Sequence, residues 1–254
     1  MTASVLTTLD GHVATVLLSR PPHNFLDVRS ITELADALVR LDEVPDCRCV
    51  VLASAGKSFC AGADFTAVPS GGSMLDPGDF YPQAMRLFRT RKPIVAAIQG
   101  AAVGAGAGLA LCADFRVVSE NARFSVNFNS LGFHPGFGLS FTLPYLVGTQ
   151  AAARLFYTGE RLDGRRMMAL GLGDELADAG TELAQAQALA ARIAKAAPLA
   201  VLSTRETLRL GLAERVQAAN VRELAIQQPQ FASVDFREGV RAFAERRDPV
   251  FTGR

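Results

Sequence analysis

The sequence predicts an α/β fold, and three observations support this prediction. Two alternating apolar runs, at residues 5–9 and 13–18, flank Asp10-Gly11, a dipeptide typical of β-hairpins. Residues 92–118 read as a strand, a glycine-rich turn, a helix and a second strand. From about residue 150 onward Ala, Leu, Arg and Glu dominate and β-branched residues become rare, which favours helices.

Apolar periodicity places the remaining elements. Ile31, Leu34, Leu38 and Leu41 recur at helical spacing, and strands are predicted at 49–53, 94–98 and 114–118. The predicted helices after the glycine-rich turn are 109–112, 151–157, 164–170, 182–196, 199–212 and 213–226. We therefore divide the chain into a core at 1–149 and a helical region at 150–254.

Composition excludes several classes of function. The 254 residues carry a net charge of +1, with acids and bases evenly spread, which gives no reason to expect a nucleic-acid or membrane partner. No apolar segment has the roughly 20 residues that a membrane span needs, and the first residues do not look like a secretory signal. The four cysteines lack zinc-site spacing and suit reduced thiols. We expect a cytoplasmic protein without metal.

The glycine-rich turn at residues 100–108 is the clearest candidate for a binding site. It holds four glycines among alanines and a valine, so few Cβ atoms keep a ligand away from the backbone. The following helix begins in this turn, and its first N–H groups would face a negative or polarised atom. This pattern predicts a backbone site for such an atom and does not name a reaction.

Several motifs in a fixed order resemble the crotonase (enoyl-CoA hydratase/isomerase) family, over nearly the whole chain. They are GKSFCAGAD at 56–64, KPIVAAIQG at 92–100 with the glycine-rich turn, Leu131-Gly132 with Pro135-Gly136, LFYTGERL at 155–162, Gly171-Leu172, EGVRAFAERR at 238–247, Pro249 and Phe251. The resemblance implies a crotonase-like spiral of ββα units with a C-terminal helical trimerisation region. It also implies self-association as a trimer or a dimer of trimers.

The family resemblance implies an acyl-CoA thioester as substrate, with coenzyme A as part of the substrate and no separate cofactor. By position, the backbone N–H groups of Ala63 and Ala105 would grip the thioester carbonyl oxygen. Enolate charge develops on that oxygen during chemistry at the α or β carbon, and two preorganised amides stabilise it. The alternative is that both turns are only tight packing corners.

The two glutamates of a hydratase of this family are absent. The resemblance aligns them with Gly108 and Phe128, and it aligns the acid of isomerase-like relatives with Gly136. No acidic residue occurs between Glu120 and Glu160. Because hydration needs one group to activate water and another to deliver a proton, we do not expect ordinary two-glutamate hydration.

His134 is the leading acid/base candidate, because an imidazole exchanges protons near neutral pH. It is equally interpretable as a histidine that stabilises a turn. Asn127 and Asn129 alternate along a predicted strand, opposite to Phe128, and would hold a water or an acyl substituent if they face the pocket. Asn at a strand end or turn is the simpler interpretation for at least one of them. Cys60 and Cys112 are interpreted as small buried apolar residues.

The remaining expected substrate contacts follow from the resemblance. They are Lys57, Ala61, Asp64, Phe65, Gly104, Asn127, Phe128, Asn129, Phe133, Phe137, Arg246 and Arg247. The phenylalanines favour a fatty or aromatic acyl group. Two hypotheses remain open: a CoA-thioester lyase or isomerase with unusual acid-base groups, and an acyl-CoA-binding protein that has lost turnover.

Overall fold

The computed structural model describes residues 3–63 and 77–254. Its strands are β1 (Val5–Asp10), β2 (Val13–Leu18), β3 (Cys49–Ser54), β4 (Ile94–Ile98), β5 (Ala101–Val103), β6 (Phe115–Ser119), β7 (Arg123–Ser125) and β8 (Glu175–Ala177). Its helices are α1 (Val28–Asp42), α2 (Pro77–Arg86), α3 (Ala105–Leu111), α4 (Leu139–Val147), α5 (Thr149–Thr158), α6 (Gly164–Ala169), α7 (Glu182–Ala194), α8 (Pro198–Leu208), α9 (Leu212–Phe231) and α10 (Val234–Glu245).

Six strands form the main sheet in the order β1-β2-β3-β4-β6-β8. Only β1 and β2 pair antiparallel, with Asp10 opposite Val13, so the predicted hairpin is confirmed. The other neighbours in this sheet are parallel, and helices such as α1 make the crossovers that parallel pairing requires. A separate parallel pair, β5 and β7, follows the ends of β4 and β6. The predicted α/β class is thus confirmed.

The central strands are apolar along their whole length because both faces of the sheet are covered. Every residue of β3 and β4 is buried. The apolar stripe of α1 packs into the larger core with one face of these strands, and alanines of α7 pack with the other face. Parallel strands covered on both faces read as continuous apolar runs, and such runs at 49–53 and 94–98 predict β3 and β4.

The predicted boundary near residue 149 falls where α4 ends and α5 begins. Beyond it, β8 pairs with β6 and extends the main sheet. The division into 1–149 and 150–254 therefore stays a prediction. Among the described residues, no helix is long and apolar enough to cross a membrane.

Candidate functional site

Two backbone turns lie side by side near one end of the main sheet. The segment after β3 runs parallel to β5, with Cys60 opposite Ala102. Cys60 N donates to Ala101 O at 2.8 Å and Val103 N donates to Cys60 O at 3.0 Å. A Cβ on Gly106 would lie 2.0 Å from Cys60 O, so the start of α3 packs directly on the first turn. A Cβ on Gly62 would lie 3.2 Å from Val103 O, so the chain just before Ala63 packs against the end of β5, two residues before Ala105.

The amide of Ala105 begins α3 and has no partner within the helix, because the first N–H groups of a helix have no preceding carbonyl. Gly104 precedes it with φ 55° and ψ −114°, a conformation that only glycine adopts readily. Its own N–H donates to Ser125 O at 2.9 Å, which fixes the turn. The glycine therefore allows the abrupt change of direction with which the chain leaves β5 and starts α3.

The amide of Ala63 also points away from its strand neighbour. Leu26 N donates to Gly62 O at 2.8 Å, and Leu26 forms a parallel bridge with Ala63. Because N–H and C=O groups alternate in direction along an extended segment, the N–H of Ala63 faces the side opposite to Leu26.

One helical turn beyond Ala105, the ring of Phe137 stands against Gly108. A Cβ on residue 108 would lie 2.4 Å from Phe137 Cδ1, so no side chain fits there without moving the ring. Phe137 is 1% exposed and has φ 65°, a left-handed conformation that is unfavourable for a bulky residue. Its ring also makes edge contacts with Phe80 and Phe88. This phenyl group fills the space beside α3.

The ring of Phe128 lies near Gly104, at the start of α3. Its Cζ would be 3.8 Å from a Cβ on Gly104, and the ring packs edge-on against Phe133 at 5.4 Å between centroids. Phe133 in turn contacts Phe231 and Phe236. The wall around α3 is therefore aromatic, and the predicted residues Phe128, Phe133 and Phe137 all belong to it.

The predicted strand through Asn127 and Asn129 is wrong. Strand β7 ends at Ser125, Phe128 has helical dihedral angles, and Asn129–Leu131 forms a 3₁₀ turn. The chain bends here because Leu131 N donates to Phe128 O at 2.9 Å. Of the three residues only Phe128 is buried, whereas both asparagines are half-buried.

His134 is half-buried and held at its backbone from both sides. Its N–H donates to Gln230 Oε1 at 2.7 Å, and its carbonyl accepts from Gln227 Nε2 at 2.8 Å. Nδ1 lies 2.7 Å from the Pro135 carbonyl. Because a carbonyl only accepts, Nδ1 carries a hydrogen, and in the neutral ring Nε2 is then the basic nitrogen. This bond suits a turn-stabilising histidine and equally orients an acid/base imidazole.

A buried polar face of α9 is the main feature that the sequence analysis missed. Glu223, fully buried, accepts from Gly138 N at 2.7 Å and from Ser140 N at 2.8 Å, which caps α4. Asn220 Nδ2 donates to the same carboxylate at 3.2 Å. The bonds to the His134 backbone continue this face along the helix. Polar residues at 220, 223, 227 and 230, spaced by helical turns, are the sequence signal for it.

A polar cavity of about 370 Å³ lies beside the first turn. It is lined by Arg20, His23 and neighbouring residues at the end of β2. Asn24 Nδ2 donates to Ala55 O and to Ser58 O, both at 2.7 Å, so this segment is tied to the loop that carries the exposed Lys57. Ala61 N donates to His23 O at 3.0 Å.

The two C-terminal arginines differ in their partners. Arg247 pairs with Glu238 at 2.5 and 3.0 Å and with Glu245 at 2.6 Å. Hydrogen bonding from Arg247 lowers the pKa of Glu238 to about 2. Arg246, exposed, ends α10 in a left-handed conformation. Arg247 and Asn127 line a common cavity of about 200 Å³.

The remaining predicted residues are placed as follows. Asp64 and Phe65 lie outside the described residues. Burial raises the pKa of the Cys60 thiol, and that of Cys112, to about 12, so both stay protonated and are poor nucleophiles. In the described ranges, no three His, Cys, Asp or Glu side chains are grouped as a metal would need.

A further cavity of about 580 Å³ does not belong to the two turns. It is an apolar groove between α4 and α8, and none of the residues that line it comes from 57–63 or 101–108. Leu208, 75% exposed, and Tyr145, 58% exposed, stand on its border. Asp114 lies at its base between Arg205 and Arg209, at 2.9 Å from each.

Comparison with known proteins identifies the family of the chain. A family model described as enoyl-CoA hydratase/isomerase matches residues 8–254. A Thermus thermophilus protein whose name refers to enoyl-CoA hydratase is 36% identical over 253 residues, which cover 95% of this chain and 98% of the relative. The carnitinyl-CoA dehydratase of Proteus mirabilis is 32% identical over 263 residues, with both chains fully covered.

The fold agrees as well. The crystal structure of an enoyl-CoA hydratase/isomerase from Pseudoalteromonas atlantica T6c superimposes with a TM-score of 0.89 and 31% identity, covering 98% of this chain and all of that one. The expected crotonase fold is thus confirmed. The chain belongs to the enoyl-CoA hydratase/isomerase family, whose members act on acyl-CoA thioesters.

Proposed function

We propose that the chain binds an acyl-CoA thioester and stabilises an enolate at its carbonyl oxygen through the N–H groups of Ala63 and Ala105. The observation that carries this proposal is the parallel register of Cys60 and Ala102, which brings the two turns together. Two amides fixed before the reaction stabilise developing charge without reorganising, and one such donor contributes about 10²–10³ in kcat.

We further propose that the reaction is not two-glutamate hydration. The space beside position 108 is filled by the Phe137 ring, and position 128 is itself a buried phenylalanine. A carboxylate at either place would be needed to activate water or to protonate the α carbon. An isomerase or lyase step that uses His134, with its basic Nε2, is the better candidate.

The alternative is acyl-CoA binding without turnover. What favours it is that the rings of Phe137 and Phe128 stand where the resemblance places the two acids, while the glycine- and alanine-rich turns proposed to bind the thioester are present. The two proposals make the same prediction for binding and differ only in conversion.

Coenzyme A is proposed to lie along the first turn, with its nucleotide in the cavity beside Arg20 and near Lys57. Ala61 and Gly104 border the thioester, and the aromatic wall receives the acyl group. Apolar walls favour a fatty or aromatic acyl chain over a short polar one. Arg246 and Arg247 are proposed as CoA phosphate contacts, for which Arg247 would have to leave Glu238.

Self-association through the apolar groove is proposed as well. Its border carries Leu208, and Leu199 of the same helix is 82% exposed. Monomeric proteins seldom expose such contiguous apolar surface, and a second copy of the chain is the occupant we propose. Trimers, or dimers of trimers, are the expected assemblies.

A panel of enoyl-, hydroxyacyl- and aromatic acyl-CoAs tests the proposal. Binding is measured by calorimetry, and conversion of each compound is followed by mass spectrometry. We expect binding with conversion of at least one member to an isomer or an elimination product. Binding of several members with no conversion would support the alternative, and absence of all binding would refute both.

A further inference from the structure

One buried hydroxyl group lies next to the aromatic wall and has no role in the function proposed above. Tyr81, on α2, directly follows Phe80, whose ring contacts Phe137. Its side chain is almost fully buried, with the residue 8% exposed. A buried polar group in such surroundings needs hydrogen-bond partners, because an unsatisfied one destabilises the fold.

The main chain of the loop approaches this hydroxyl closely. A Cβ on Gly136 would lie 1.9 Å from Tyr81 Oη and 2.6 Å from Gln227 Nε2. No side chain fits at position 136, so the glycine is what admits the phenol. The hydroxyl thus reaches the loop one residue before Phe137, the residue whose ring abuts α3.

Gln227 fixes the direction of the hydroxyl hydrogen. Tyr81 Oη and Gln227 Oε1 are 3.0 Å apart, and Gln227 Nε2 donates to the His134 carbonyl at 2.8 Å. Since the amide nitrogen is used as a donor towards the loop, the amide oxygen is the acceptor for the phenol. Burial raises the pKa of Tyr81, so the phenol keeps its proton and donates it to this bond.

The oxygen of Tyr81 is left with unused acceptor capacity. A phenol has one donor and also accepts, and within residues 3–63 and 77–254 no group donates to Tyr81 Oη. Gln227 is fully buried and belongs to the polar face of α9, which also binds Gly138 and Ser140 through Glu223. The acceptor is therefore held in place before any ligand arrives.

We propose that Tyr81, oriented by Gln227, accepts a hydrogen bond from a hydroxyl group on the acyl chain, and so selects hydroxyacyl-CoA ligands. The inference rests on the proposed function, because it needs the acyl group to lie along the wall of Phe137. A ligand hydroxyl completes a chain of bonds that runs from ligand to Tyr81, Gln227 and His134. A plain alkyl group at the same place adds no such bond, and the phenol then keeps only its bond to Gln227.

The test compares hexanoyl-CoA with hydroxyhexanoyl-CoAs that carry the hydroxyl on successive carbons, by calorimetric titration of the full chain. We expect one hydroxy isomer to bind about fivefold to tenfold more tightly than hexanoyl-CoA, as for one buried hydrogen bond. Tyr81→Phe removes this preference and leaves hexanoyl-CoA affinity within about twofold. Tyr157→Phe, at a tyrosine that is 77% exposed, is the matched control, and it should keep the preference for the hydroxy isomer.

Because Tyr81→Phe leaves the Gln227 oxygen without its donor, its folding is checked by thermal melting. The double variant Tyr81→Phe/Gln227→Met removes both partners of this bond; since it also leaves the His134 carbonyl without its donor, its folding is checked in the same way, and it must lose the preference too. Equal affinity of wild-type protein for all hexanoyl-CoAs, or a preference that survives Tyr81→Phe, overturns the inference and leaves the proposed function intact. If no acyl-CoA binds, the proposed function itself fails.

Discussion

The ring of Phe137 occupies the space into which a side chain at Gly108 would extend, with 2.4 Å between Cδ1 and a Cβ built on the glycine. A buried ring can move little, so Gly108→Ala should lower the free energy of unfolding by about 1–3 kcal/mol. Chemical denaturation measures this loss. We expect Phe137→Ala, which costs about 3–5 kcal/mol alone, to remove most of the additional cost of Gly108→Ala.

Gly108→Ala, Phe137→Ala and the variant with both changes form a double-mutant cycle. Its control replaces Gly108→Ala by Gly106→Ala. Its Cβ would lie 2.0 Å from the carbonyl oxygen of Cys60, a backbone atom that Phe137 does not affect. Phe137→Ala should therefore leave the cost of Gly106→Ala unchanged. Strict additivity of Gly108→Ala and Phe137→Ala would contradict the contact on which the reaction proposal rests.

His134→Gln tests the acid/base assignment. On any acyl-CoA that the panel shows to be converted, we expect turnover to fall by about 10²–10⁴, because a positioned proton carrier is lost. Binding should change little, since the bonds from Gln227 and Gln230 reach only the backbone of residue 134. His12→Gln is the control, because His12 is exposed and also contacts a backbone carbonyl through Nδ1. Unchanged turnover in His134→Gln would mean that this histidine only stabilises the turn and takes no part in proton transfer.

The pair of Arg247 and Glu238 predicts a pH dependence at the C-terminal helix. The folded pKa of Glu238 is lowered to about 2 from 4.5, so the pair stabilises the fold above pH 4.5. That contribution is lost as the pH falls from 4.5 towards 2. In Arg247→Met we expect the pKa of Glu238, followed by NMR titration, to rise back towards 4.5.

Arg246→Met is the matched control for this titration, because Arg246 makes no contact with Glu238 among those of the described residues. The pKa of Glu238 should be unaltered there. An ordinary pKa for Glu238 in the wild-type protein would mean that Arg247 does not form a stable ion pair with Glu238.

If the chain self-associates through the apolar groove, a charged side chain introduced at the border of the groove should weaken the assembly. In sedimentation velocity, the wild-type protein should run as a trimer or a larger oligomer, and Leu208→Glu should shift it towards monomer, because burying an unpaired carboxylate is unfavourable. Leu9→Glu, at an exposed position of β1, is the control and should not dissociate the protein. A wild-type monomer at all concentrations would refute the proposed assembly.

The elements of the fold are predictable from the sequence wherever burial imposes a pattern of apolar residues. Strand β4 was expected at 94–98 and lies at Ile94–Ile98, because a strand covered on both faces is apolar throughout. Helices α2 and α4 were not expected, since Pro82 and Pro144 lie inside them and disfavour helix locally. Contacts between distant parts of the chain hold them, as Glu223 does at the start of α4.

The two backbone turns of the site, at 56–64 and 100–108, are predictable from the sequence because their close packing requires glycine and alanine. The contact of Phe137 with Gly108 is not, since it depends on a left-handed residue in a loop. Nor is the Tyr81–Gln227 pair, whose members are 146 positions apart. Alternation predicts a strand through Asn127 and Asn129, and this prediction is wrong because the chain bends at Phe128. Short sequence patterns predict secondary structure, but they do not predict contacts between residues that are distant in the chain.

The central claim is that two amides, those of Ala63 and Ala105, bind a thioester carbonyl oxygen. The most direct test titrates the protein with an acyl-CoA thioester and with its thioether analogue, which has a methylene group in place of the carbonyl. We predict that the thioester binds about tenfold more tightly, as expected for two hydrogen bonds.

Ala105→Pro deletes one donor at the first position of α3, where proline is tolerated, and should shrink that difference. Equal affinity of the wild-type protein for thioester and thioether, or a difference that Ala105→Pro leaves unchanged, would contradict the account.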